Sequence, residues 1–155
     1  MMDTSNSMTI KLPQNLVLDV QQVAKSYGKL RVLREVTFSM RPGEITGITG
    51  ENGSGKSTLL NTIVGRTHAD AGRIAHQGKL GYCPQELLIF ENLTVEENLH
   101  YFATAYGLPQ RDAGWRRSAN GLLERFRCSQ HIRRPVSQLS GGTKQKLNLI
   151  IAFLH

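Results

Sequence analysis

The sequence predicts an α/β fold, because short β-branched segments are followed by segments with helical periodicity. Residues 16–20 and 36–40 alternate between apolar and polar side chains, which predicts half-exposed strands of an antiparallel layer. Residues 44–49 are β-branched and follow Pro42 and Gly43, which predicts a short buried strand. A glycine-rich stretch comes next and leads into a helical pattern. The predicted core is therefore a strand, a loop and a helix beside an antiparallel β layer.

The helix after the glycine-rich stretch is predicted from four apolar residues at helical spacing. They stop at Gly65, a residue type that commonly ends helices. The apolar positions are Leu59, Leu60, Ile63 and Val64.

Two more helices are predicted between residues 94 and 127. Thr94 and Glu97 form a capping box, which predicts a helix that runs towards Gly107. A second helix is predicted from near Asp112 to Arg127, and its apolar face consists of Trp115, Leu122, Leu123 and Phe126. These helices predict a helical subdomain that follows the β layer.

The glycine-rich stretch is residues 50–58, and it fits the phosphate-binding pattern G-x-x-x-x-G-K-[ST] at every fixed position. We call it the phosphate-binding loop. A triphosphate is held best by several inward-pointing backbone N–H groups, and glycines permit the necessary bends. We expect Lys56 to reach the β- and γ-phosphates and Ser57 to place its hydroxyl on Mg²⁺. The candidate residues for binding a nucleoside triphosphate and Mg²⁺ are Gly50, Asn52, Gly53, Gly55, Lys56, Ser57 and Thr58.

A second motif lies far downstream of the phosphate-binding loop. Residues 139–142 read Leu-Ser-Gly-Gly, and a largely apolar segment follows over residues 147–154. Together with the phosphate-binding loop, this motif resembles the ATP-binding cassette (ABC) family. The resemblance covers residues 16–155, and the motifs stand in the order that the family has. We call residues 139–142 the signature segment.

The resemblance implies roles for residues outside the phosphate-binding loop. Tyr27 stands where the family places the aromatic ring that stacks on adenine. Gln85 matches the glutamine that contacts Mg²⁺ or the attacking water and senses the membrane partner. Ser140, Gly141 and Gly142 match the groups that close over the γ-phosphate of ATP bound to the other subunit. One phosphate-binding loop and one signature segment per chain therefore imply a head-to-tail pair of cassettes.

Each of these residues also has a purely structural interpretation. Tyr27 could be a half-buried aromatic residue at the end of a strand. Gln85 could be a polar turn residue after Pro84. The signature segment could be an ordinary turn that caps a helix.

The sequence departs from the family pattern in three places. Thr143 stands where the family commonly has glutamine, and Gln145 follows two residues later. The interval between residues 72–74 and residues 81–82 is shorter than is usual in the family. The family hydrolyses ATP with a later acidic strand, which supplies an aspartate for Mg²⁺ and a glutamate that polarises water, and with a switch histidine. No such acidic strand follows the signature segment in this sequence, and His155 does not match the switch histidine. We therefore predict a cassette that is incomplete at its C-terminus and lacks the catalytic glutamate.

The composition is that of a soluble globular protein. The chain has 155 residues and 39% apolar content, and no stretch approaches the roughly 20 apolar residues that cross a bilayer. Residues 1–12 lack the apolar region of a signal peptide and are predicted to be a disordered leader. Cys83 and Cys128 give no metal spacing and no disulfide framework, which indicates a reduced cytosolic environment.

The net charge of +7 raises an alternative, a soluble ABC protein that acts on nucleic acid. Such a protein should show a second cassette, or coiled-coil heptads between Gln85 and Leu139, and the sequence has neither. We therefore expect no nucleic-acid partner. A second alternative is a non-catalytic, nucleotide-binding remnant. The basic residues behind the first alternative include Arg111, Arg116, Arg117, Arg125, Arg127, Arg133 and Arg134.

We interpret the chain as resembling the ATP-binding motor subunit of an ABC transporter, with export favoured over import. The predicted organisation is a P-loop core and β layer over residues 13–85, a helical ABC subdomain over 86–140 and a signature helix over 141–155. The implied partners are a second cassette and an integral membrane permease. This would place the protein on the cytoplasmic face of the cell membrane.

Overall fold

The structure is a computed structural model that describes residues 12–109 and 113–154. The chain divides into two compact units, one before and one after the junction of Gly78 and Lys79. The predicted leader lies outside the described residues except for Leu12. Asp112, near which the third helix was predicted to begin, also lies outside them, as does His155.

The first unit contains a three-stranded antiparallel sheet with the order β2-β1-β3. The strands are β1 (Leu18–Tyr27), β2 (Leu30–Met40) and β3 (Ala71–His76). In the central strand, Val20 lies opposite Phe38 of β2 and Ile74 of β3. The sheet confirms the predicted antiparallel layer. Both strands are longer than predicted: β1 begins two residues later than the predicted range 16–20 and continues to Tyr27, and β2 begins six residues before the predicted range 36–40.

The register between β1 and β2 shifts along their length. Gln22 (φ 50°) and Glu35 (φ 54°) adopt left-handed backbone conformations in this part of the hairpin. Such irregularities bend a strand and increase its twist.

The helix of the first unit is α1 (Lys56–Ile63), and it ends before Gly65 as predicted. Leu59 is buried and joins Leu18, Val20, Val23 and Leu33 in one apolar cluster. Burial of these side chains anchors the first turns of α1 against the sheet. Leu60, which the spacing assigned to the same apolar face, is 40% exposed.

The predicted buried strand over residues 44–49 is not found. These residues belong to no strand or helix, and Ile45 is fully exposed while Ile48 is 37% exposed. A strand is defined by its ladder of hydrogen bonds to a neighbour, and no other strand within the described residues pairs with this segment. Its apolar side chains satisfied the pattern, but the pattern does not provide a partner.

The second unit is helical. Its helices are α2 (Val95–Ala105), α3 (Ala113–Arg125) and α4 (Gly141–Ala152), with short 3₁₀ turns at Ser129–His131 and Val136–Gln138. The predicted helices over this part of the chain are confirmed. One apolar cluster joins the three helices, and its buried members include Leu99, Trp115, Leu123, Leu147, Ile150 and Ile151.

Helix α2 begins at the predicted capping box. The Thr94 hydroxyl accepts a hydrogen bond from the Glu97 backbone N–H at 3.2 Å. The Glu97 carboxylate in turn accepts from the Thr94 backbone N–H at 2.7 Å and from its hydroxyl at 2.8 Å. These bonds to Thr94 hold the pKa of Glu97 below its ordinary value. The cap therefore fixes where α2 starts.

We predict that Thr94→Ala lowers the free energy of unfolding by about 1 kcal/mol, because a first-turn N–H loses its acceptor. Thr94→Ser keeps the oxygen and should retain most of the stability. The lowered pKa of Glu97 means that its stabilising contribution is present above its ordinary pKa and is lost as the pH falls through the lowered value. Urea unfolding of the three proteins between pH 3 and pH 7 measures both effects. Equal stability of Thr94→Ala and wild type would contradict this prediction.

Candidate functional site

The phosphate-binding loop closes tightly at its two ends. Gly55 has φ 94°, and a Cβ atom at this position would lie 2.9 Å from Val32 Cγ1 and 3.2 Å from the Val32 carbonyl oxygen. A Cβ on Gly50 would lie 2.7 Å from Ser54 Oγ. Only glycine fits at Gly55 without displacing β2. The loop is therefore held in a curve against the sheet.

Lys56 is the charge at the centre of this curve. Its ammonium donates to the Gly50 carbonyl at 2.8 Å and to the Glu51 carbonyl at 2.7 Å. An ammonium has three N–H donors, so a third donor is available to an anion. The positive charge is thus held inside the loop by the loop's own backbone.

The first turn of α1 adds further donors. Its residues are Lys56, Ser57 and Thr58, none of which is acidic, and its N-cap Gly55 has no side chain that could accept from the first backbone N–H groups. Those N–H groups and the helix dipole favour an anion at this end of α1. A cavity of about 210 Å³ adjoins the loop and is lined by residues that include Val32, Leu33, Val36, Ile48, Thr49 and Lys56.

Ser57 is the residue expected to place its hydroxyl on Mg²⁺. Its side chain is exposed in the first turn of α1. Mg²⁺ at nucleotide sites is typically held by one or two protein oxygens together with phosphates and water, so a single hydroxyl suits it. Among the described residues no group of three His, Cys, Asp or Glu side chains could hold a metal ion.

Tyr27 lies at the end of β1, where it pairs with Leu30, and its side chain is 53% exposed. The Lys25 ammonium lies 5.6 Å from the centre of the Tyr27 ring. Lys25 also forms an ion pair of 2.7 Å with Asp70, which accepts from the Ser26 backbone N–H at 2.7 Å. These hydrogen bonds, first that from Lys25, lower the pKa of Asp70. More than half of the Tyr27 side chain is therefore accessible to a ligand.

Gln85 belongs to the second unit and is exposed at a bend between β3 and α2. The segment around it is held by α4. The Asn148 carboxamide donates to the Pro84 carbonyl at 3.2 Å and accepts from the Leu88 N–H at 3.4 Å. The glutamine side chain therefore projects from a backbone that is fixed on both sides.

The signature segment begins α4. Ser140 is the N-cap, and its hydroxyl accepts from the Thr143 backbone N–H at 3.3 Å and lies 2.9 Å from the Thr143 hydroxyl. The capping role considered from the sequence is therefore present. Gly141 and Gly142 form the exposed first turn, and a Cβ at either position would meet no described atom within 4 Å. Neither glycine has a positive φ.

These two glycines have no role in the packing of the described chain. Glycine costs roughly 0.5–1 kcal/mol relative to alanine within a helix. Because Gly141 and Gly142 have no side chains, nothing of their own covers the first backbone N–H groups of α4, whereas the Thr143 N–H is bonded to Ser140.

Asn148 was not identified from the sequence. It interrupts the apolar residues of α4, between Leu147 and Leu149, and it is only 3% exposed. A single asparagine within such an apolar segment could have indicated a specific hydrogen-bonding role, because buried polar groups are almost always hydrogen-bonded. The ion pair of 2.5 Å between Lys144 and Glu91, which ties the first turns of α4 to the same segment, was also missed.

None of the helices within the described residues has the length and apolar character needed to cross a membrane.

The curved loop around Lys56, at the N-terminus of α1, defines a nucleotide-binding protein of the P-loop class. The chain matches the model of the family described as ABC transporter over residues 33–155. It belongs to that family, which confirms the resemblance inferred from the two motifs.

Curated relatives span several kinds of ABC protein. The chain is 31% identical to the linearmycin resistance ATP-binding protein LnrL of Bacillus subtilis (strain 168), over 90% of this chain and 48% of the relative. It is 29% identical to ABC transporter G family member 23 of Dictyostelium discoideum, over 91% of this chain and 22% of the relative. It is 39% identical to the mouse ABC-type organic anion transporter ABCA8B, over 78% of this chain and 8% of the relative. The chain thus spans about half or less of the length of these relatives.

Solved structures agree with the fold. An ATP binding subunit of an ABC transporter superposes with a TM-score of 0.78 at 33% identity, over 89% of this chain and 62% of that one. The ADP conformation of MJ1267, an ATP-binding cassette of an ABC transporter, gives a TM-score of 0.73 at 27% identity, over 90% of this chain and 65% of that one. The predicted fold class, a P-loop core with an antiparallel layer and a helical subdomain, is confirmed by these likenesses.

Proposed function

We propose that this chain is the ATP-binding motor subunit of an ABC transporter and couples ATP binding and hydrolysis to transport across a membrane. The observation that carries the proposal is the Lys56 ammonium, held by two loop carbonyls at the open N-terminus of α1. This arrangement suits a triphosphate, because it combines backbone donors, a helix dipole and one cation.

ATP and Mg²⁺ are the proposed ligands. In this proposal the loop amides and Lys56 hold the phosphates, Ser57 contacts Mg²⁺ and Tyr27 stacks on adenine. Gln85, from the second unit, is proposed as the residue that responds to Mg²⁺ or the attacking water. The exposed Tyr27 ring and the exposed Ser57 hydroxyl are consistent with these roles.

A second cassette is the proposed partner of the signature segment. The open first turn of α4, with Gly141 and Gly142, offers backbone N–H groups at a helix N-terminus. Ser140, Gly141 and Gly142 would approach the γ-phosphate of ATP on the other cassette. The absence of any packing role for the two glycines within the described chain supports this assignment.

A membrane permease is the proposed second partner, and the surface beside Gln85 is its proposed contact. Three large apolar side chains are exposed there, Leu88 (50%), Phe90 (43%) and Tyr101 (50%). Phe90 and Tyr101 pack edge to face with ring centres 4.6 Å apart. An open groove of about 520 Å³ runs along α2 and is lined by Leu93, Glu97, His100, Tyr101, Thr104 and Ala105. Exposed apolar patches of this kind commonly mark protein contacts.

Export is the proposed direction, because one relative is named for linearmycin resistance and another for organic anion transport. The permease contact would hold the protein at the cytoplasmic face of the cell membrane. We further propose that residues 13–85 form the P-loop core and β layer, residues 86–140 the helical subdomain and residues 141–155 the signature helix.

We predict that Lys56→Ala weakens ATP binding by about a hundredfold or more, because the phosphates lose their charge-assisted hydrogen bond. Lys79→Ala removes the same charge from an exposed position outside the loop and should leave the affinity unchanged. Titration with a fluorescent ATP analogue compares the three proteins. Equal affinity of Lys56→Ala and wild type would refute the phosphate-binding assignment.

We predict that the signature segment acts in a pair of cassettes. Ser140→Arg should leave ATP binding to the monomer within about twofold and prevent ATP-dependent pairing, because the bulky cation blocks the open end of α4. Ser140→Thr keeps the cap and should still pair. Light scattering with and without Mg²⁺·ATP, on the chain joined to a catalytically blocked acidic strand, separates the two variants. Pairing by Ser140→Arg would exclude the proposed contact.

We also propose that residues 1–155 by themselves bind ATP without turning it over, since the acidic strand implied by the resemblance is not among them. Loss of the positioned carboxylates lowers phosphoryl transfer by several powers of ten. Phosphate release from this span with Mg²⁺·ATP should therefore equal that of Lys56→Ala. Robust turnover that depends on Lys56 would instead assign the catalytic role to a carboxylate such as Glu51 or Glu86.

A further inference from the structure

The segment that contains Gln85, residues 81–91, packs along one face of α4. Lys144, Asn148 and Ala152 are spaced by four residues and so lie on the same side of the helix. Each contacts a different part of residues 81–91. The helix that begins at the signature segment therefore serves as the support along which that segment runs, in the antiparallel direction.

Residues 81–91 approach α4 closely at both of their ends. At one end, the Lys144 ammonium pairs with Glu91 at 2.5 Å, and only 15% of the Lys144 side chain is exposed. At the other end, a Cβ on Gly81 would lie 2.2 Å from the Ala152 carbonyl oxygen, so only glycine can approach α4 this closely.

Asn148 holds the middle of the segment and is buried, with 3% exposure. Its carboxamide nitrogen donates to the Pro84 carbonyl at 3.2 Å and to Cys83 Sγ at 3.4 Å. Its carboxamide oxygen accepts from the Leu88 N–H at 3.4 Å. A carboxamide supplies both a donor and an acceptor, and here it bonds the backbone on both sides of Gln85.

We propose that Asn148 is the positioning residue for Gln85, and that it fixes this glutamine to the helix that carries Ser140 at its N-terminus. This inference rests on the proposed role of Gln85. Nucleotide contacts at the start of α4 and the placement of Gln85 then depend on the same rigid helix. Displacement of one displaces the other.

Asn98 provides a matched control. It is fully buried in α2, and its carboxamide accepts from the Phe90 N–H at 2.8 Å and donates to the Phe90 carbonyl at 2.9 Å. It therefore does for Phe90 what Asn148 does for the residues around Gln85. Asn98→Leu removes a similar set of buried hydrogen bonds without touching residues 83–88.

Cys83 and Cys128, the two cysteines of the chain, report local and general opening separately. Cys83 is partly buried beside Asn148, whereas Cys128 is buried in the helical core. Burial raises the pKa of Cys83, and the Asn148 hydrogen bond lowers it. Loss of that hydrogen bond alone would therefore slow thiol modification, so faster modification indicates that the segment has opened.

The experiment uses the full chain and four variants: Asn148→Leu, which fills the space, Asn148→Ser, which keeps a small polar group, Asn98→Leu and Gln85→Ala. Modification of each cysteine by iodoacetamide is followed by mass spectrometry. We expect Asn148→Leu to accelerate modification of Cys83 at least roughly tenfold, the equivalent of one of the three hydrogen bonds that it removes, with Cys128 unchanged. Asn148→Ser should give a smaller acceleration, and Asn98→Leu should not change Cys83 selectively. Parallel acceleration at both cysteines, or no change, would overturn the proposal.

A second measurement tests the link to nucleotide. The ratio of ATP affinities with Mg²⁺ and with EDTA is compared for Gln85→Ala, Asn148→Leu and the double variant. We expect each single variant to lower the ratio by the same factor, roughly tenfold, with no further loss in the double variant and unchanged affinity in EDTA. A drop for Gln85→Ala but not for Asn148→Leu would overturn the inference. No drop for Gln85→Ala would refute the proposed role of Gln85, whereas selective opening at Cys83 would still support Asn148 as the residue that places this segment.

Discussion

The arrangement of the first unit depends on one interaction, in which the backbone carbonyls of the phosphate-binding loop bind the Lys56 ammonium. Lys56 can donate to the carbonyls of Gly50 and Glu51 only because the loop bends back over the start of α1. That bend in turn requires Gly55 to lie against Val32 of β2, where no side chain would fit. Sheet, loop and helix are therefore fixed together, and the cluster around Leu59 anchors the helix to the sheet.

The second unit relies on buried carboxamides for the same purpose. The connections between its helices have little regular structure, and backbone groups in such segments still need partners. Asn98 and Asn148 supply these partners from within α2 and α4. A neutral carboxamide avoids the desolvation cost of a buried charge while it offers both a donor and an acceptor. The irregular segments thus find in these side chains the hydrogen-bond partners that a strand finds in its neighbour's backbone.

Local chemistry made much of the fold predictable. Capping residues are read from a few neighbouring positions, so the start of α2 followed directly from Thr94, and a cap at Ser140 was one of two interpretations of the signature segment. The antiparallel hairpin followed from alternation, and the loop followed from a fixed pattern of glycines. Residues 44–49 could not be placed in this way, because strand formation requires a partner that no local pattern specifies. The contacts of Asn148 join positions about sixty residues apart, and only the folded chain brings them together.

The left-handed residues of the β1–β2 hairpin have a consequence for association between chains. Within the described residues β2 is an outer strand of its sheet, and an unpaired outer strand is a template for a strand from another molecule. Glu35, at φ 54° and exposed in the middle of β2, interrupts the regular spacing of the outward-facing N–H and C=O groups. A straight strand from a neighbouring molecule cannot match that spacing along the length of β2. The irregularity that bends the hairpin therefore makes this edge of the sheet a poor template for edge-to-edge aggregation.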